Sequence, residues 1–276
     1  MMTEKNPHPA HVAIAELMAL TENRYKGDPN FMSSLARGLM VLQAFSPAYQ
    51  ALSTAEISKA TGLHRAAVRR CLYTLNALGF VDSTDNRHYH LLPKVLTLGQ
   101  AYLQGSDLAR HAQKALDYLA KELNQSCSVA TYDAGMILYV ARSSVKKILQ
   151  IDLGRGSRLP AYATSMGQVL LSELPSAQLD HYLATTPLLP FTEFTLTDPQ
   201  SLRERLTEIK AKGYAINDQQ LELGLTSLAV PMYSAKGKVV AAMNVGMSSS
   251  QSDIGELKQR LLPRLQRAAM ELSLVL

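Results

Sequence analysis

The stretch LSTAEISKATGLHRAAVRRCLYTLNALGF, residues 52–80, decides how the N-terminal part of this chain folds. Ser53 and Glu56 have the spacing of a capping box, in which each side chain bonds the other residue's backbone N–H, so a helix is expected to begin near Thr54. Gly62 suits the left-handed conformation that ends a helix and lets the chain turn sharply. A second helix follows at once, and the pattern predicts a helix-turn-helix.

The second predicted helix has two faces of different chemistry. At about 100° per residue one face is apolar and the other polar. The apolar face holds Val68, Cys71, Leu72, Leu75 and Leu78, and the polar face holds Arg65, Arg69, Arg70, Tyr73 and Asn76. Small alanines between the arginines would allow close approach to a DNA groove, where guanidinium groups bind guanine or phosphate. The alternative is an ordinary amphipathic helix whose arginines are only hydrated.

The flanking segments favour DNA binding. Residues 80–82 and 88–91 alternate like paired strands around a polar turn, which predicts a wing. Upstream, Leu35, Leu39, Leu42 and Phe45 recur at helical spacing and predict a first helix that packs by this face. The order of helix, helix, basic helix and hairpin is typical of a winged helix-turn-helix. Its predicted DNA-contacting residues are Ser53, Thr54, His64, Arg65, Ala66, Arg69, Arg70, Tyr73 and Arg87.

Charge and composition agree with this interpretation. Residues 31–94 carry seven lysines and arginines against three acidic residues, so most of the chain's formal net charge of +5 lies there. A local excess of this kind is expected of a phosphate-binding domain. Cys71 and Cys127 are the only cysteines, which excludes a paired-cysteine zinc site and indicates a reducing, cytoplasmic setting. No apolar run approaches the roughly 18 residues of a membrane span, so no membrane partner is expected.

The 276 residues suggest two domains with a connection between them. We predict an N-terminal extension over residues 1–30, a winged helix-turn-helix over 31–93, linker helices over 94–125 and a second domain over 126–276. Residues 10–22 leave open a short amphipathic helix or disorder. A heptad-like row in the linker leaves open packing on the following sheet or on a second copy of the chain. The row comprises Leu108, Ala112, Leu116, Leu119 and Leu123.

The second half mixes strands with helices. Strands are predicted over residues 126–132, 136–142, 149–152, 214–217, 227–233 and 239–247. Helices are predicted from Thr164 to residue 174, over 176–184, from Pro199, and over 252–276 with a kink at Pro263. This is an α+β plan with a sheet that could hold a small ligand against one face.

Enzymatic motifs are missing from the sequence. The segment Gly154-Arg155-Gly156 lacks the third glycine of a dinucleotide loop, and neither a phosphate-binding Gly-Lys-Ser/Thr segment nor a His-Glu-x-x-His pair occurs. Asp180 and His181 are adjacent on a predicted helix and point in different directions. We therefore predict no catalytic residue, no metal and no cofactor. A metabolite-binding module that uses its helix-turn-helix for assembly is the alternative.

The whole order of elements resembles the IclR family of bacterial transcription regulators over residues 31–276. The stretches that carry the resemblance are GLHRAAVRRCLYTLNALGFV (62–81), RLPAYATSMGQVLLSEL (158–174) and KGYAINDQQLELGLTSLAVPMY (212–233). The second stretch is most similar to the subgroup that senses protocatechuate or 4-hydroxybenzoate. The resemblance implies a mixed α/β, GAF/PAS-like effector domain, a dimer or tetramer on a palindromic DNA operator, and activation of catabolic genes through RNA polymerase. A repressor that senses a non-aromatic metabolite is a further alternative.

The resemblance also implies effector-binding positions. Thr164, Ser165 and Met166 match the loop that lines the family's pocket. Asn217, Ser227 and Asn244 stand where glyoxylate- and pyruvate-type members carry Asp, Cys and Ser. These departures disfavour a small keto acid and suit the hydroxyl groups of phenols.

Two further residues are predicted to bind an aromatic acid. Arg142 is our candidate for pairing with a carboxylate, because a guanidinium recognises that group with two hydrogen bonds. A strand-end arginine in water is the alternative, and Arg155 and Arg158 are competing anchors. Tyr162 is predicted to stack on the aromatic ring, with plain packing as the alternative.

Overall fold

The structure is a computed structural model that describes residues 25, 27–46, 49–145, 153–251, 255 and 257–276. It divides into two compact units, Met1–Tyr102 and Leu103–Leu276. The helix considered for residues 10–22 and the strand predicted over 149–152 lie outside the described residues.

The N-terminal unit contains three helices and a small antiparallel sheet. In chain order its elements are α1 (Ser33–Gln43), β1 (Ala51–Ser53), α2 (Thr54–Thr61), α3 (Arg65–Ala77), β2 (Val81–Asp82) and β3 (His88–Leu91). The strand order is β1, β3, β2, with β3 antiparallel to both neighbours. This confirms the predicted winged helix-turn-helix. The three-residue strand β1 was not predicted, because so short a segment has no readable alternation.

Local signals set the boundaries of α2 as predicted. The Ser53 Oγ accepts from the Glu56 backbone N at 3.3 Å, and the Ser53 backbone N donates to the Glu56 carboxylate at 2.8 Å. Hydrogen bonds from Ser53 to the Glu56 carboxylate lower the pKa of that carboxyl. The helix ends at Gly62, which has a φ of 72°. The capping box and the left-handed turn are therefore both formed.

The face predicted for α1 is partly wrong. Leu35 and Leu39 are 58% and 48% exposed, whereas Met40, Val41 and Ala44 are buried. Residues 39–42 are all apolar, so periodicity alone could not select the face that packs in the core of this unit. Leu78, predicted on the apolar face of α3, is also exposed because it lies beyond the last helical residue.

The C-terminal unit is built on one six-stranded antiparallel sheet. Helix α4 (Leu96–Gly105) crosses the division between the units, and α5 (Asp107–Leu123) follows it. The strands are β4 (Ser126–Asp133), β5 (Met136–Ser143), β6 (Arg158–Pro160), β7 (Ala215–Asp218), β8 (Leu225–Tyr233) and β9 (Val239–Ser248), arranged β6-β5-β4-β9-β8-β7. The remaining helices are α6 (Ser165–Ser172), α7 (Ser176–Thr185), α8 (Pro199–Lys212) and α9 (Leu262–Ser273).

Two apolar cores lie on the opposite faces of this sheet. On one face α5 and α9 pack on β4, β8 and β9, and on the other face α6, α7 and α8 pack against the same sheet. The apolar row of α5 therefore packs on the sheet, which decides between the two alternatives for that helix. Four of its members, Ala112, Leu116, Leu119 and Leu123, are buried, and Leu108 is half-buried.

Turns and caps in this unit follow local chemistry. The β4–β5 hairpin turns through Ala134 and Gly135, with φ values of 45° and 83°. Helix α8 begins at Pro199 after Asp198, whose carboxylate accepts from the Ser201 N at 2.7 Å. Near the C-terminus a π-helical turn, Leu257–Leu261, precedes α9. The change from π-helix to α-helix therefore lies next to Pro263, where a kink was predicted.

Candidate functional site

The first candidate site is the polar face of α3. Arg65, Arg69 and Arg70 are exposed on it, and Tyr73 is 79% exposed. No guanidinium group of these arginines forms a hydrogen bond or ion pair with the part of the chain that the structure describes. The opposite face buries Val68, Leu72 and Leu75 in the core of the unit. Helix α3 is therefore anchored by one face and presents uncompensated cations on the other, as phosphate binding requires.

Three other predicted DNA-contacting residues lie at helix starts. His64 caps α3 by accepting from the Ala66 backbone N at its Nδ1, at 3.3 Å. The Ser53 hydroxyl donates to the Glu56 carboxylate at 2.7 Å, so it is already engaged in the capping box. Thr54 is half-buried at the first position of α2. The predicted role of Ser53 is thus at least partly structural.

The wing presents Arg87 in an exposed turn. The Asp85 carboxylate accepts from the backbone N of Arg87 at 2.8 Å and of His88 at 2.7 Å, and it also contacts the His88 Nδ1 at 2.7 Å. These hydrogen bonds hold the pKa of Asp85 well below its usual range. Asn86 takes a left-handed φ of 57°. Because Asp85 is occupied by the turn, the guanidinium group of Arg87 stays without an ion pair to any described residue.

The second candidate site is a pocket between the sheet and the start of α6. It encloses about 520 Å³ of space that is not occupied by atoms, a figure that includes open solvent at its mouth. Its lining comprises Ser126, Tyr139, Arg142, Leu159, Ala163, Thr164, Ser165, Asn217, Leu221, Leu225, Ser227, Asn244 and Gly246.

Strand register explains why distant residues meet there. Ser128 of β4 pairs with Arg142 of β5 on one side and with Asn244 of β9 on the other. Residues two apart on a strand share a face, so the next row points into the same side of the sheet. That row comprises Ser126, Gly246, Ser227 and Asn217. The pocket floor is thus made of two adjacent cross-strand rows.

Arg142 is held in place and keeps an unused donor edge. Its Nη1 donates to the Ser128 Oγ at 3.0 Å, and its backbone N and O bond the Gln113 side chain of α5 at 3.3 and 3.1 Å. Its Nε is buried and has no hydrogen-bond partner among the described residues. The Asn244 Oδ1 is also buried and has no hydrogen-bond partner among the described residues. Unpaired buried polar atoms are costly, so two in one pocket wall indicate a ligand that supplies both an acceptor and a donor.

The start of α6 supplies further polar groups. The Thr164 Oγ1 caps the helix by accepting from the Gly167 N at 3.1 Å, and the Ser227 hydroxyl donates to the Ser165 hydroxyl at 2.8 Å. A helix N-terminus carries partial positive charge, which favours an anionic ligand group. On the facing strand, burial raises the pKa of Tyr139 to about 12, against the opposing charge of Arg142, so the phenol is neutral at physiological pH.

Not all predicted effector-binding residues reach the pocket. The Tyr162 hydroxyl donates to the Leu189 O at 2.9 Å, and its ring stacks on Phe191 at 6.0 Å, so its side chain packs in the core. Met166 is buried in the same core and is not a lining residue. Of the competing anchors, Arg155 is exposed and Arg158 pairs with Asp133 at 2.9 Å. Arg142 is the arginine in the lining.

Sequence reasoning missed seven of the thirteen lining residues. The missed residues are Ser126, Tyr139, Leu159, Ala163, Leu221, Leu225 and Gly246. Gly246 lies two residues after Asn244 and therefore on the same strand face, so strict two-residue alternation would have found it. Ser126 lies beside Gly246 because β4 pairs with β9, and the sequence does not show which strands pair.

Two kinds of feature are absent from the described ranges. No group of three or more His, Cys, Asp and Glu side chains there could hold a metal ion. None of the helices within those ranges combines the length and the apolar composition that a membrane span requires.

Comparison with known proteins finds a family model for each of the two parts of the chain. The model of the IclR helix-turn-helix domain matches residues 34–85, and that of the bacterial transcriptional regulator IclR C-terminal domain matches 100–274. The chain is 46% identical to the Pca regulon regulatory protein of Pseudomonas putida, covering 97% of this chain and 94% of that protein. It is 32% identical to the p-hydroxybenzoate hydroxylase transcriptional activator of Acinetobacter baylyi, with coverage of 88% and 91%.

A solved structure adds a ligand complex of a relative. It is the inducer-binding domain of the PobR transcription factor from Acinetobacter, a double mutant in complex with 3-hydroxybenzoic acid. Its TM-score is 0.56 at 30% sequence identity, covering 61% of this chain and 98% of that one. From the two matched domains and the extent of these likenesses, the chain belongs to the IclR family: it is a DNA-binding transcription regulator and not an enzyme.

Proposed function

We propose that this regulator responds to an aromatic carboxylic acid that carries hydroxyl groups, such as protocatechuate or a hydroxybenzoate, and that it activates catabolic genes. The observation that carries the proposal is the pair of buried, unpaired atoms in one pocket wall, the Arg142 Nε and the Asn244 Oδ1. A carboxylate supplies the acceptor that Arg142 lacks, and a phenol hydroxyl supplies the donor that Asn244 lacks.

The rest of the lining suits the same chemistry. Leu159, Leu221 and Leu225 offer apolar surface to a ring, while Ser165 and Ser227 offer hydroxyls. Asn217, Ser227 and Asn244 replace the residues of keto-acid-sensing members, which further supports a hydroxylated ring. The proposal is supported by the relatives named for the Pca regulon and for p-hydroxybenzoate hydroxylase, and by the inducer-binding domain bound to 3-hydroxybenzoic acid.

The DNA side of the proposal uses α3 and the wing. Arg65, Arg69 and Arg70 would contact a major groove, with Ala66 allowing close approach and Arg87 reaching the backbone or minor groove. One such helix reads only a few base pairs. Two copies spaced by about one helical turn, roughly 34 Å, would be needed for useful specificity. We therefore propose that the protein binds a palindromic operator as a dimer or tetramer. As an activator it would recruit RNA polymerase, and its proposed location is the cytoplasm.

Helix α4 is the proposed dimer contact within the linker segment 94–125. Its side chains are not buried within this chain, and Leu96, Leu98 and Tyr102 are all more than half exposed. The apolar row of helix α5, in contrast, packs on the sheet of its own chain. The proposed domain limits remain 31–93 for DNA binding and 126–276 for effector binding.

A ligand screen on the full chain tests the effector class. Thermal-shift and isothermal titration measurements would compare 4-hydroxybenzoate and 3,4-dihydroxybenzoate with pyruvate and glyoxylate. A ligand at about 100 times its Kd should stabilise the folded state by roughly 2.7 kcal/mol. Stabilisation by the keto acids alone would contradict the proposal.

A salt titration tests the DNA side. Binding to a palindromic duplex selected from a random pool should weaken linearly in log affinity against log salt, because counterions are released from phosphates. Affinity that is independent of salt would instead support a helix-turn-helix used for assembly.

A further inference from the structure

The loop between β7 and β8 brings a glutamine against the pocket wall. Within it, the Gln220 Oε1 accepts from the Asn217 Nδ2 at 3.1 Å and from the Gln168 Nε2 at 2.7 Å. The loop backbone is itself held from the segment before α8. The Thr195 Oγ1 donates to the Gln220 O and the Thr192 Oγ1 donates to the Gln219 O, each at 2.6 Å.

The orientation of the Gln220 amide is set by its neighbours. Gln168 is fully buried on α6, and its Nε2 also donates to the Tyr162 backbone O at 2.8 Å. A backbone carbonyl can only accept, so the amide nitrogen of Gln168 must lie on this side. Gln220 must then present its oxygen to Gln168. The Gln168 Oε1 is left buried without a partner among the described residues, which is the cost of this arrangement.

The orientation of the Asn217 side-chain amide is also set by its neighbours. Its Nδ2 donates to the Ala163 backbone O at 3.2 Å and to the Gln220 Oε1. An asparagine amide has two N–H donors, and both are consumed by these bonds. Asn217 lines the pocket, and within the described structure its Oδ1 receives no hydrogen bond. What Asn217 offers to a ligand is therefore an acceptor only.

Asn217 and Arg142 lie at opposite ends of the pocket floor. They stand on β7 and β5, and β8, β9 and β4 lie between these strands. Four strand spacings amount to roughly 19 Å between backbones in a flat sheet. A long arginine side chain covers part of this distance, and a ligand that touches both residues must carry its two polar groups at its opposite ends.

We infer that Gln220 is a positioning residue that fixes Asn217 as an acceptor, so that the pocket selects a ligand with a hydroxyl donor at the end opposite its carboxylate. The inference rests on the proposed function and adds that the ligand's second polar group is a hydrogen-bond donor, placed opposite the carboxylate. The para-hydroxyl of a hydroxybenzoate fits this pattern. Asn244 lies only two strands from Arg142, so its donor is a second hydroxyl nearer to the carboxylate, as in protocatechuate. An analogue with fluorine in place of the hydroxyl keeps nearly the same size but leaves Asn217 unpaired.

The test is the affinity ratio of 4-hydroxybenzoate to 4-fluorobenzoate, measured by isothermal titration on the full-length protein. Wild-type protein should prefer the hydroxyl compound by about 10- to 100-fold, because the site otherwise keeps an unpaired buried acceptor. In Gln220→Met the side chain keeps its length but loses the strong acceptor, which releases one N–H of Asn217. The ratio should then fall at least about threefold. Gln220→Glu, which keeps an oxygen at this position, should retain the wild-type ratio.

Leu223→Ala is the matched control, since Leu223 is exposed on the same loop, and its ratio should equal that of wild type. Equal weakening of both ligands in Gln220→Met, with an unchanged ratio, would show that Gln220 only stabilises the loop and would overturn the inference. Equal wild-type affinities for the two benzoates would overturn it as well, while leaving the proposed effector class intact. Wild-type protein that binds neither benzoate would refute the proposed function itself, and the inference with it.

Discussion

Replacing Arg142 by alanine should abolish the response to effector while leaving the fold and DNA binding intact. The Nη1 of Arg142 is occupied by Ser128, and its buried Nε is unpaired among the described residues. The Nε–Nη2 edge is therefore free to bind a carboxylate through two parallel hydrogen bonds. Its backbone bonds to Gln113 do not depend on the side chain. The alanine variant should consequently keep the β5–α5 contact.

The expected loss can be worked from these two bonds. A hydrogen bond to a charged group contributes about 1.5 to 3 kcal/mol, so losing the pair should cost about 3 to 6 kcal/mol of binding free energy. At 1.4 kcal/mol per decade this is a rise in Kd of roughly 100- to 20,000-fold. Arg142→Lys should recover little, since an ammonium group cannot form the planar fork.

Isothermal titration with 4-hydroxybenzoate measures the loss, and fluorescence anisotropy with an operator duplex checks that DNA binding survives. Arg155→Ala is the matched control, because it removes the same charge from an exposed residue outside the pocket lining. It should change Kd by less than about twofold. If Arg142→Ala titrates like wild type, the reasoning fails, and the carboxylate is bound elsewhere, for example by the N-terminus of α6.

Three further substitutions test the DNA surface and the two cores. Arg69→Ala should weaken operator binding by about 1 to 3 kcal/mol per lost base contact with unchanged circular dichroism; an unchanged operator Kd would remove Arg69 from the interface. Val68→Asp puts an unpaired charge at a fully buried position and should unfold the N-terminal unit; native-like melting would contradict this core assignment. Gly167→Ala would place a Cβ 2.1 Å from the Ala161 O and should destabilise the C-terminal unit by about 1 to 3 kcal/mol. Gly38→Ala, on α1 and with open space around it, should not lower Tm, and equal Tm values for both glycine variants would refute the contact argument.

Features encoded within a few residues could be predicted from the sequence. The Ser53–Glu56 capping box and the start of α8 after Asp198 depend on side chains that bond nearby backbone, and the turn at Gly62 depends on a glycine that takes a positive φ easily. The hairpin turn at Ala134 and Gly135 likewise depends on a nearby residue, because Gly135 takes a positive φ easily. In each case the interacting groups lie within four residues of one another, so the sequence displays them together.

The apolar face of α1 could not be predicted in the same way. Its run of four apolar residues, 39–42, satisfies helical periodicity in more than one direction. Which direction is buried depends on what the rest of the N-terminal unit places beside it. Burial of Met40 and Val41, with Leu39 left exposed, is a tertiary outcome that no count along α1 contains.

The polar residues of the pocket could be found one strand at a time, but their arrangement could not. Arg142, Asn217, Ser227 and Asn244 were predicted from residue type and family position, and the structure places all four in one lining. The loop residue Gln220 carries no such signal. Its importance comes from two long-range hydrogen-bond partners, of which Gln168 is 52 residues away in sequence.

Gly246 shows why the shape of the pocket could not be predicted from the sequence. In a strand, glycine usually weakens the sheet, and it often marks a bulge or a close backbone approach. Neither applies here, because Gly246 pairs regularly with Ser126 and Ser227, and an added Cβ would meet only the Leu225 side chain, at 3.9 Å. What the missing side chain provides is free volume between two polar neighbours in the pocket floor. A residue that contributes by the space it leaves empty can be recognised only once the strands around that space have been paired.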